Sequence, residues 1–211
     1  MSLVSEKPIT YLITRGEATS ENFASAKQQI LDIIALAVEE KVSLIQIREK
    51  HLTAPLLCEL TESAVSVTRG SSTKVLVNDR ADIAMACGAD GVHLTSNSIP
   101  VNVIRSMVPA DFLVGISSHS LDDAMAAAQD GADFAVLAPV FDTPGKGEPL
   151  GIDMLAEVCR ATQPFSILAL GGTNERNLAE VLRAGASGFA AIRAMNEPDR
   201  LKQLMRMVTS Q

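Results

Sequence analysis

Short apolar runs alternate with longer amphipathic stretches along the whole chain. The runs at 44–47 and 75–77 consist mostly of branched apolar residues and are bounded by polar ones, which indicates strands buried on both faces. The stretch before the first of these runs instead places apolar residues at helical spacing, at Ile30, Ile33, Ile34 and Ala37. The pattern therefore predicts strands and helices in regular alternation.

Eight strand–helix units are predicted in this way. The strands are expected at 9–14, 42–48, 74–77, 91–94, 112–116, 133–137, 166–170 and 188–192. The helices are expected from 20 or 22 to 40, from 53 to 69, up to 87, from 100, over 120–130 and 152–161, from 173 or 174 to 185, and from about 198.

A short internal repeat supports this count. Residues 88–91, 131–134 and 185–188 read GADG, GADF and GASG, and each stands between a predicted helix and a predicted strand. The first glycine of each is the residue type that ends a helix in a left-handed conformation. Because eight units is the number that closes a barrel, the sequence predicts a single (β/α)8 TIM barrel domain over 1–211, with a doubly wound sheet as the alternative.

Composition narrows the function. The chain has 211 residues and a net charge of −7, which argues against a nucleic-acid-binding or anionic-membrane surface. No apolar run is long enough to span a bilayer, and no signal-peptide pattern precedes Tyr11. Cys58, Cys87 and Cys159 lack metal-binding spacing and are interpreted as reduced core cysteines of a cytoplasmic protein.

Charged residues collect where the second and third strands end, which in a (β/α)8 barrel is the catalytic face. Strand alternation predicts one row of side chains from Gln46, Arg48 and Lys50. The next strand ends in Asn78-Asp79-Arg80, and Lys146 lies in the Pro- and Gly-rich loop 139–151. Four cations around one carboxylate are typical of a polyphosphate site with a divalent ion. The alternative is a solvated charged loop.

A second group of candidate residues predicts a phosphate site. Gly171-Gly172 follows the seventh strand and Ile192-Arg193 ends the eighth, where barrel loops often bind phosphate through backbone N–H groups. The alternative is a glycine pair needed only for a turn. His93 is interpreted as a satisfied core residue and His119 as a structural one, and loop 139–151 as a flap or a surface loop without chemistry.

The chain resembles the family of thiamine phosphate synthase and the thiazole tautomerases. The resemblance rests on five stretches in order: IQIREK at 45–50, VNDRADIAMACGADGVHL at 77–94, GISSHS at 115–120, GADFAVLAPVFDTP at 131–144 and ALGGTN at 169–174. It implies a (β/α)8 barrel that joins a hydroxymethylpyrimidine diphosphate to a thiazole phosphate and releases pyrophosphate. It also implies Mg²⁺ as cofactor. A homodimer is compatible with it.

The resemblance also implies roles for individual residues. Gln46 would face the pyrimidine, Asp79 would bind Mg²⁺, Ser117 would contact pyrophosphate and Thr143 the thiazole. The remaining residues would hold the diphosphate or the thiazole phosphate: Arg48, Lys50, Asn78, Arg80 and Lys146 for the former, and Gly171, Gly172, Ile192 and Arg193 for the latter.

Three positions depart from the synthase pattern. Ser98 stands where a second Mg²⁺-binding Asp is usual, Gly145 replaces a threonine, and Arg193 replaces a serine. In the tautomerases a histidine takes the place of Pro139. Synthase activity is therefore the first expectation. A divergent tautomerase-like protein, or a non-catalytic barrel that binds thiazole phosphate or thiamine phosphate, is the alternative.

Overall fold

A computed structural model describes residues 8–209, in which eight strands form a closed barrel in sequence order. The strands are β1 Ile9–Ile13, β2 Leu44–Ile47, β3 Lys74–Asn78, β4 Gly91–Leu94, β5 Leu113–Ser118, β6 Phe134–Leu137, β7 Ser166–Ala169 and β8 Gly188–Ala191. The predicted barrel is confirmed, and the doubly wound sheet is excluded by closure. Residues 1–7 and 210–211 lie outside the described residues. The one-domain prediction includes both segments, and the prediction that no signal peptide precedes Tyr11 concerns part of the first.

A helix follows each strand. The helices are α1 Phe23–Glu39, α2 Ala54–Thr68, α3 Ala81–Ala86, α4 Val101–Met107, α5 Leu121–Gln129, α6 Gly151–Ala161, α7 Leu178–Arg183 and α8 Pro198–Thr209, with a short 3-10 helix at Ala194–Asn196. Most bounds agree with the sequence prediction to within two residues. The exception is α7, whose N-cap is Asn177 rather than a residue near 173. Within the described range, no helix combines the length and the apolar character needed to cross a membrane.

The chain forms two compact units. Among the described residues, one comprises Tyr11–Val92 with the segment from Ile192 onward, and the other comprises the segment up to Thr10 with His93–Ala191. That the whole chain is one domain stays a prediction.

In the first unit, β2 pairs in parallel with β3 and brings Ile45 opposite Val75. The helix α1 buries Ile33, Ile34 and Ala37, as its apolar spacing predicts. Lys41 follows α1 with a positive φ of 61°, and the N–H of Val42 donates to the carbonyl oxygen of Ala37 at 2.8 Å. This left-handed residue therefore ends the helix and binds its last carbonyls.

The repeated Gly-Ala-Asp motif has a structural role that its spacing alone did not reveal. In the first unit, Asp90 Oδ2 accepts a hydrogen bond from the N–H of Val75 at 2.9 Å, and the N–H of Asp90 donates to the Val75 carbonyl at 2.8 Å. In the second unit, Asp133 makes the same pair of bonds to Val114, at 2.7 and 2.8 Å. Each aspartate thus ties the start of its own strand to the start of the preceding one.

Candidate active site

The strand β2 presents a buried amide beside a buried phenol. Gln46 and Tyr11 are 1% and 0% exposed, and Gln46 Nε2 donates to the Tyr11 hydroxyl oxygen at 3.0 Å. Burial raises the pKa of Tyr11 above its ordinary value, against the opposite effect of the bond from Gln46, so the phenol stays neutral. Tyr11 therefore orients the Gln46 amide, a role that the sequence did not indicate.

Arg48 lies just beyond the end of β2, because the strand stops at Ile47 rather than at 48. Its N–H donates to Thr14 Oγ1 at 2.8 Å. Its guanidinium lies close to Gly16, where a Cβ would be 3.1 Å from Arg48 Nη1. Gly16 has a φ of +80°, so a side chain at this position would meet both backbone strain and the arginine. The half-buried Arg48 thus has a defined place beside the loop that follows β1.

The side chain of Glu49 points into the protein, whereas a solvated charged loop would leave it exposed. It is 3% exposed, and its carboxylate accepts hydrogen bonds from the N–H groups of Gly16 at 3.0 Å and Ala18 at 2.8 Å. The interpretation of 48–50 as a solvated charged loop is therefore wrong for Glu49. The buried carboxylate anchors the loop after β1, while Lys50 is exposed. Because the strand ends at Ile47, the alternating row does not extend regularly to Lys50.

The exit of β3 carries a strained aspartate. Asn78 is the last residue of β3, and Asp79 follows with a positive φ of 63°. Lys41 has a similar φ, but there the end of α1 explains it; Asp79 follows a strand, where no helix end requires this conformation. Left-handed conformations of non-glycine residues are enriched at functional sites. The exposed Asp79 therefore remains the candidate metal ligand.

Arg80 has a partner that the sequence analysis did not foresee. Its guanidinium binds Asp82 in a bidentate way, with Nε–Oδ1 at 2.8 Å and Nη2–Oδ2 at 2.5 Å. This hydrogen bonding raises the pKa of Arg80 and lowers that of Asp82. Asp82 thus offsets the charge of Arg80 locally. The binding of a diphosphate by Arg80 stays a prediction, and it would have to compete with this pair.

In the second unit, the candidate pyrophosphate ligand Ser117 contacts a buried imidazole. His93 in β4 is 3% exposed, and its Nε2 lies 3.1 Å from Ser117 Oγ. The His93 ring is also 6.0 Å from the ring of Phe134, centroid to centroid. Ser117 lies within β5, since that strand continues to Ser118. His93 is a core residue, as the sequence predicts, but it also positions a candidate site hydroxyl.

The turn after β4 holds Ser98, at the position where a carboxylate is usual in the synthases. Ser98 Oγ accepts a hydrogen bond from the N–H of Thr95 at 2.6 Å and lies 3.1 Å from Thr95 Oγ1. The N–H of Ser98 in turn donates to the Thr95 carbonyl at 3.0 Å. The hydroxyl of Ser98 thus contributes to a closed turn.

The first part of loop 139–151 packs against the glycine pair after β7. The N–H of Val140 donates to Leu170 O at 2.9 Å and that of Phe141 to Gly171 O at 3.0 Å. A Cβ on Gly171 would lie 2.8 Å from Pro139 Cα and 3.1 Å from Thr143 Oγ1. This places the candidate thiazole ligand Thr143 directly beside the glycine pair. Residues 144–149 of the loop are exposed, including Lys146, whose N–H donates to Thr143 O at 3.0 Å.

The glycine pair can offer backbone donors without a helix N-terminus. Gly171 and Gly172 have φ of +96° and +65°, and within residues 8–209 their N–H groups donate no hydrogen bond. The Gly172 carbonyl is bound by the side-chain amides of Asn174 at 2.7 Å and Asn177 at 3.0 Å. Because α7 begins only at Leu178, the predicted helix start at 173 or 174, directly after Gly172, is wrong. The two asparagines fix this turn instead.

The end of β8 is organised by an asparagine that sequence reasoning missed. Asn196 Nδ2 donates to Ile192 O at 2.7 Å and to Ile13 O at 2.8 Å. The backbone at Ile192 and Arg193 then enters the short 3-10 helix at Ala194–Asn196. Arg193 is exposed, and Arg15 Nη2 donates to Asn196 O at 3.2 Å. No local sequence pattern could link residues so distant along the chain.

A closed (β/α)8 barrel whose strand exits carry arginine, lysine, amide and glycine residues places this protein in the TIM-barrel class of α/β proteins. The chain also matches the family model described as thiamine monophosphate synthase over residues 10–195, and it belongs to that family. The predicted resemblance is therefore confirmed.

Individual relatives agree with this family. The chain is 39% identical to a putative thiamine-phosphate synthase from Geobacter sulfurreducens, over 90% of this chain and 87% of the relative. It is 34% identical to a thiamine-phosphate synthase from Roseiflexus castenholzii, over 90% and 82%. Its structure is similar to that of a thiamine phosphate pyrophosphorylase from Pyrococcus furiosus, with a TM-score of 0.82, 29% identity and 96% of each chain covered. Enzymes with these names are transferases.

Proposed function

We propose that this protein joins hydroxymethylpyrimidine diphosphate to thiazole phosphate, giving thiamine phosphate and pyrophosphate. The observation that carries the proposal is the exit of β2. There Arg48 is held beside Gly16, while the neighbouring carboxylate of Glu49 is turned inward to bind two backbone N–H groups. The inward turn of Glu49 separates its negative charge from the guanidinium of Arg48. This separation suits the binding of a diphosphate by Arg48.

In this reaction the bond between the pyrimidine methylene carbon and the diphosphate oxygen breaks, and the diphosphate leaves with the electron pair. The thiazole nitrogen then attacks the resulting carbocation, so that a carbon–nitrogen bond forms. Negative charge grows on the departing oxygen, and fixed cations and hydrogen-bond donors at that position lower the barrier. We assign this task to Arg48, Lys50, Asn78, Arg80, Lys146 and Ser117.

The Gln46 amide is assigned to the pyrimidine ring. Because Gln46 Nε2 donates to the Tyr11 hydroxyl, its Oε1 is directed to another donor, such as the amino group of a pyrimidine. Thr143 is assigned to the thiazole ring. The N–H groups of Gly171 and Gly172, with the backbone at Ile192 and the nearby Arg193, are assigned to its phosphate. Charged side chains would thus bind the diphosphate, and backbone donors would bind the phosphate of the thiazole.

Asp79 can hold Mg²⁺ only if substrate oxygens supply further ligands. Asp79 supplies one carboxylate, and among the described residues no group of three carboxylate or histidine ligands surrounds it. Mg²⁺ commonly takes one or two carboxylates and completes its shell with water and phosphate oxygens. Asp79 would thus hold an ion bound mainly to the diphosphate, and the ion would supply further neutralisation of the leaving group.

The experiment that tests this function combines purified protein with both phosphorylated precursors and a Mg²⁺ titration. Thiamine phosphate is detected by its fluorescence after oxidation. Mg²⁺-dependent product in the wild type, lost in Asp79→Ala with unchanged thermal unfolding, is the expected result. The matched control is Asp111→Ala, an exposed aspartate outside the assigned site. Absence of product from wild type, together with tight calorimetric binding of thiamine phosphate, would favour a non-catalytic binding barrel.

A second candidate function, thiazole tautomerisation, is favoured by one observation. His119 Nδ1 lies 2.7 Å from the carbonyl oxygen of Ala138, the residue before Pro139. An imidazole that directly follows β5 thus approaches the point where tautomerases carry theirs. Conversion of a thiazole carboxylate phosphate by wild type but not by His119→Ala would support this function. Equal conversion by both proteins would assign the reaction to a residue other than His119, and no conversion by wild type would oppose the function.

Assembly and location belong to the same proposal. A homodimer and a cytoplasmic location are compatible with a small biosynthetic enzyme that takes phosphorylated substrates. Sedimentation of the purified protein at several concentrations would decide the first point, since a monomer mass throughout would rule out a stable dimer.

A further inference from the structure

Two cysteines and a glutamate come together on the outer helices of the first unit. Cys58 and Glu62 lie one turn apart on α2, and Cys87 is the C-cap residue of α3. The two sulfur atoms and a Glu62 carboxylate oxygen all lie within 4.8 Å of one another. The separation between Cys58 Sγ and Glu62 Oε1 is 3.9 Å. The three cysteines are free, and Cys87 and Cys159 are buried, as the sequence predicts for reduced core cysteines. The fold in addition brings Cys58 and Cys87 together, which their sequence spacing does not indicate.

The geometry points to a binding site for a thiophilic divalent cation of the Zn²⁺ type, formed by Cys58, Glu62 and Cys87, which ties α2 to the end of α3. In a tetrahedral site with Zn–S bonds of about 2.3 Å, ligand atoms lie about 3.5 to 3.8 Å apart. The cluster needs only a small contraction to reach that spacing. Three protein ligands leave the fourth position for water.

The three side chains also differ in solvent exposure, which gives a cation a route into the cluster. Cys87 is buried, Cys58 is half-buried and Glu62 is exposed. A cation can therefore meet the carboxylate first and reach the sulfur atoms afterwards. Because Cys58 and Glu62 are separated by four residues on one helix, they share a face and need no rearrangement of the backbone.

The two sulfur ligands of the cluster decide which metals can bind. Burial raises the pKa of Cys87 to about 12, and its neighbours Cys58, Glu62 and Asp82 act in the same direction. A thiophilic cation displaces the thiol protons to solvent as it binds, whereas the hard cation Mg²⁺ has little affinity for sulfur. The proposed site is thus chemically distinct from the one assigned to Asp79.

The chain contains a matched control in its third cysteine. Cys159 lies in α6 of the second unit and is buried, and burial raises its pKa to about 11. It shares burial and protonation with Cys87 but belongs to no group of three metal-ligating side chains among the described residues. A response that requires Cys58 and not Cys159 would therefore identify the cluster, rather than cysteine in general.

The test is an anaerobic Co²⁺ titration of the full-length protein, reduced with a phosphine that does not bind the metal. We expect a sulfur-to-cobalt charge-transfer band that saturates at one equivalent, disappears on addition of Zn²⁺ and is kept in Cys159→Ser. In Cys58→Ser the band should fall to about half its intensity at saturation and the affinity should fall by at least about tenfold, because one of two thiolates is gone. Glu62→Gln should retain the band with weaker affinity.

Thermal unfolding gives a second readout, independent of any enzyme activity. Zn²⁺ should raise the Tm of wild type and Cys159→Ser, and a chelator should reverse the rise, because a ligand bound only to the folded state stabilises it. Cys58→Ser should show a smaller rise. Cys58 is half-buried, so this variant is expected to fold. An identical cobalt spectrum and Tm shift in wild type and Cys58→Ser would overturn the proposal, as would their absence in wild type.

Discussion

Two candidate site regions, one in each unit, are built by different means. At the exit of β2, the buried Thr14 hydroxyl accepts a hydrogen bond from the Arg48 N–H and so fixes the backbone that carries the arginine side chain. Around Gly171 and Gly172, the backbone itself supplies the donors, and close packing against loop 139–151 determines its conformation. In the first region we therefore expect function to depend on side chains that can be removed without unfolding. In the second we expect function and stability to depend on the same atoms.

Arg48→Ala is expected to have the largest effect on activity. The side chain would be lost while the backbone bond to Thr14 remains, so the fold should persist. We expect kcat/KM to fall by about 100- to 1,000-fold, the usual cost of removing one preorganised donor to a developing charge. Arg69→Ala, at the exposed end of α2, is the matched control and should behave as wild type. A loss of Tm in Arg48→Ala that accompanies the loss of activity would contradict the expectation that this side chain can be removed without unfolding.

Gly172→Ala should instead lower activity and stability together. A Cβ at this position would lie 2.6 Å from Phe141 Cβ and 2.8 Å from Asp142 O, on a backbone with φ of +65°. Conformational strain and overpacking together should cost about 2–4 kcal/mol in unfolding free energy, measured by denaturant titration.

Two glycines of loop 139–151 separate the effect of backbone strain from that of overpacking. Gly145→Ala meets the strained φ of +76° but has open space, and Gly147→Ala has open space without a positive φ. We expect the loss of stability to decrease from Gly172 to Gly145 to Gly147. Equal losses in Gly172→Ala and Gly145→Ala would show that packing against Phe141 is unimportant.

Glu49→Gln tests the buried anchor in the first region. Its carboxylate accepts from Gly16 and Ala18, and an amide places an NH₂ group against one of these donors. The free energy of unfolding should fall by about 1–3 kcal/mol. Glu59→Gln removes only an exposed ion pair with Lys27 and should change it by less than about 1 kcal/mol. If both substitutions cost the same, the buried hydrogen bonds do not stabilise the loop.

Ser98→Asp should have the smallest effect, and it acts on the metal. A carboxylate can still accept the N–H of Thr95 while offering a second oxygen to a cation. We expect a modest rise in apparent Mg²⁺ affinity in the synthase assay, with Ser96→Asp in the same turn as the control. A Mg²⁺ titration that matches wild type would mean that residue 98 does not face the metal.

The sequence predicted the roles of whole segments better than those of single polar residues. The sequence leaves a solvated charged loop open as the alternative at 48–50, yet Glu49 is buried. Its partners, Gly16 and Ala18, are more than 30 residues away in the chain, at separations of 33 and 31. Asn196 was missed for the same reason, because its bond to Ile13 O spans 183 residues.

The sequence by itself determined the barrel, the number of its strand–helix units and the family. Apolar periodicity and helix-ending glycines are local properties, and every unit repeats them. Only the tertiary structure decided that Tyr11 orients Gln46, that Glu49 is buried and that Cys58 meets Cys87. These contacts join residues on different elements, and their geometry depends on how strands and helices pack, which no local pattern in the sequence encodes.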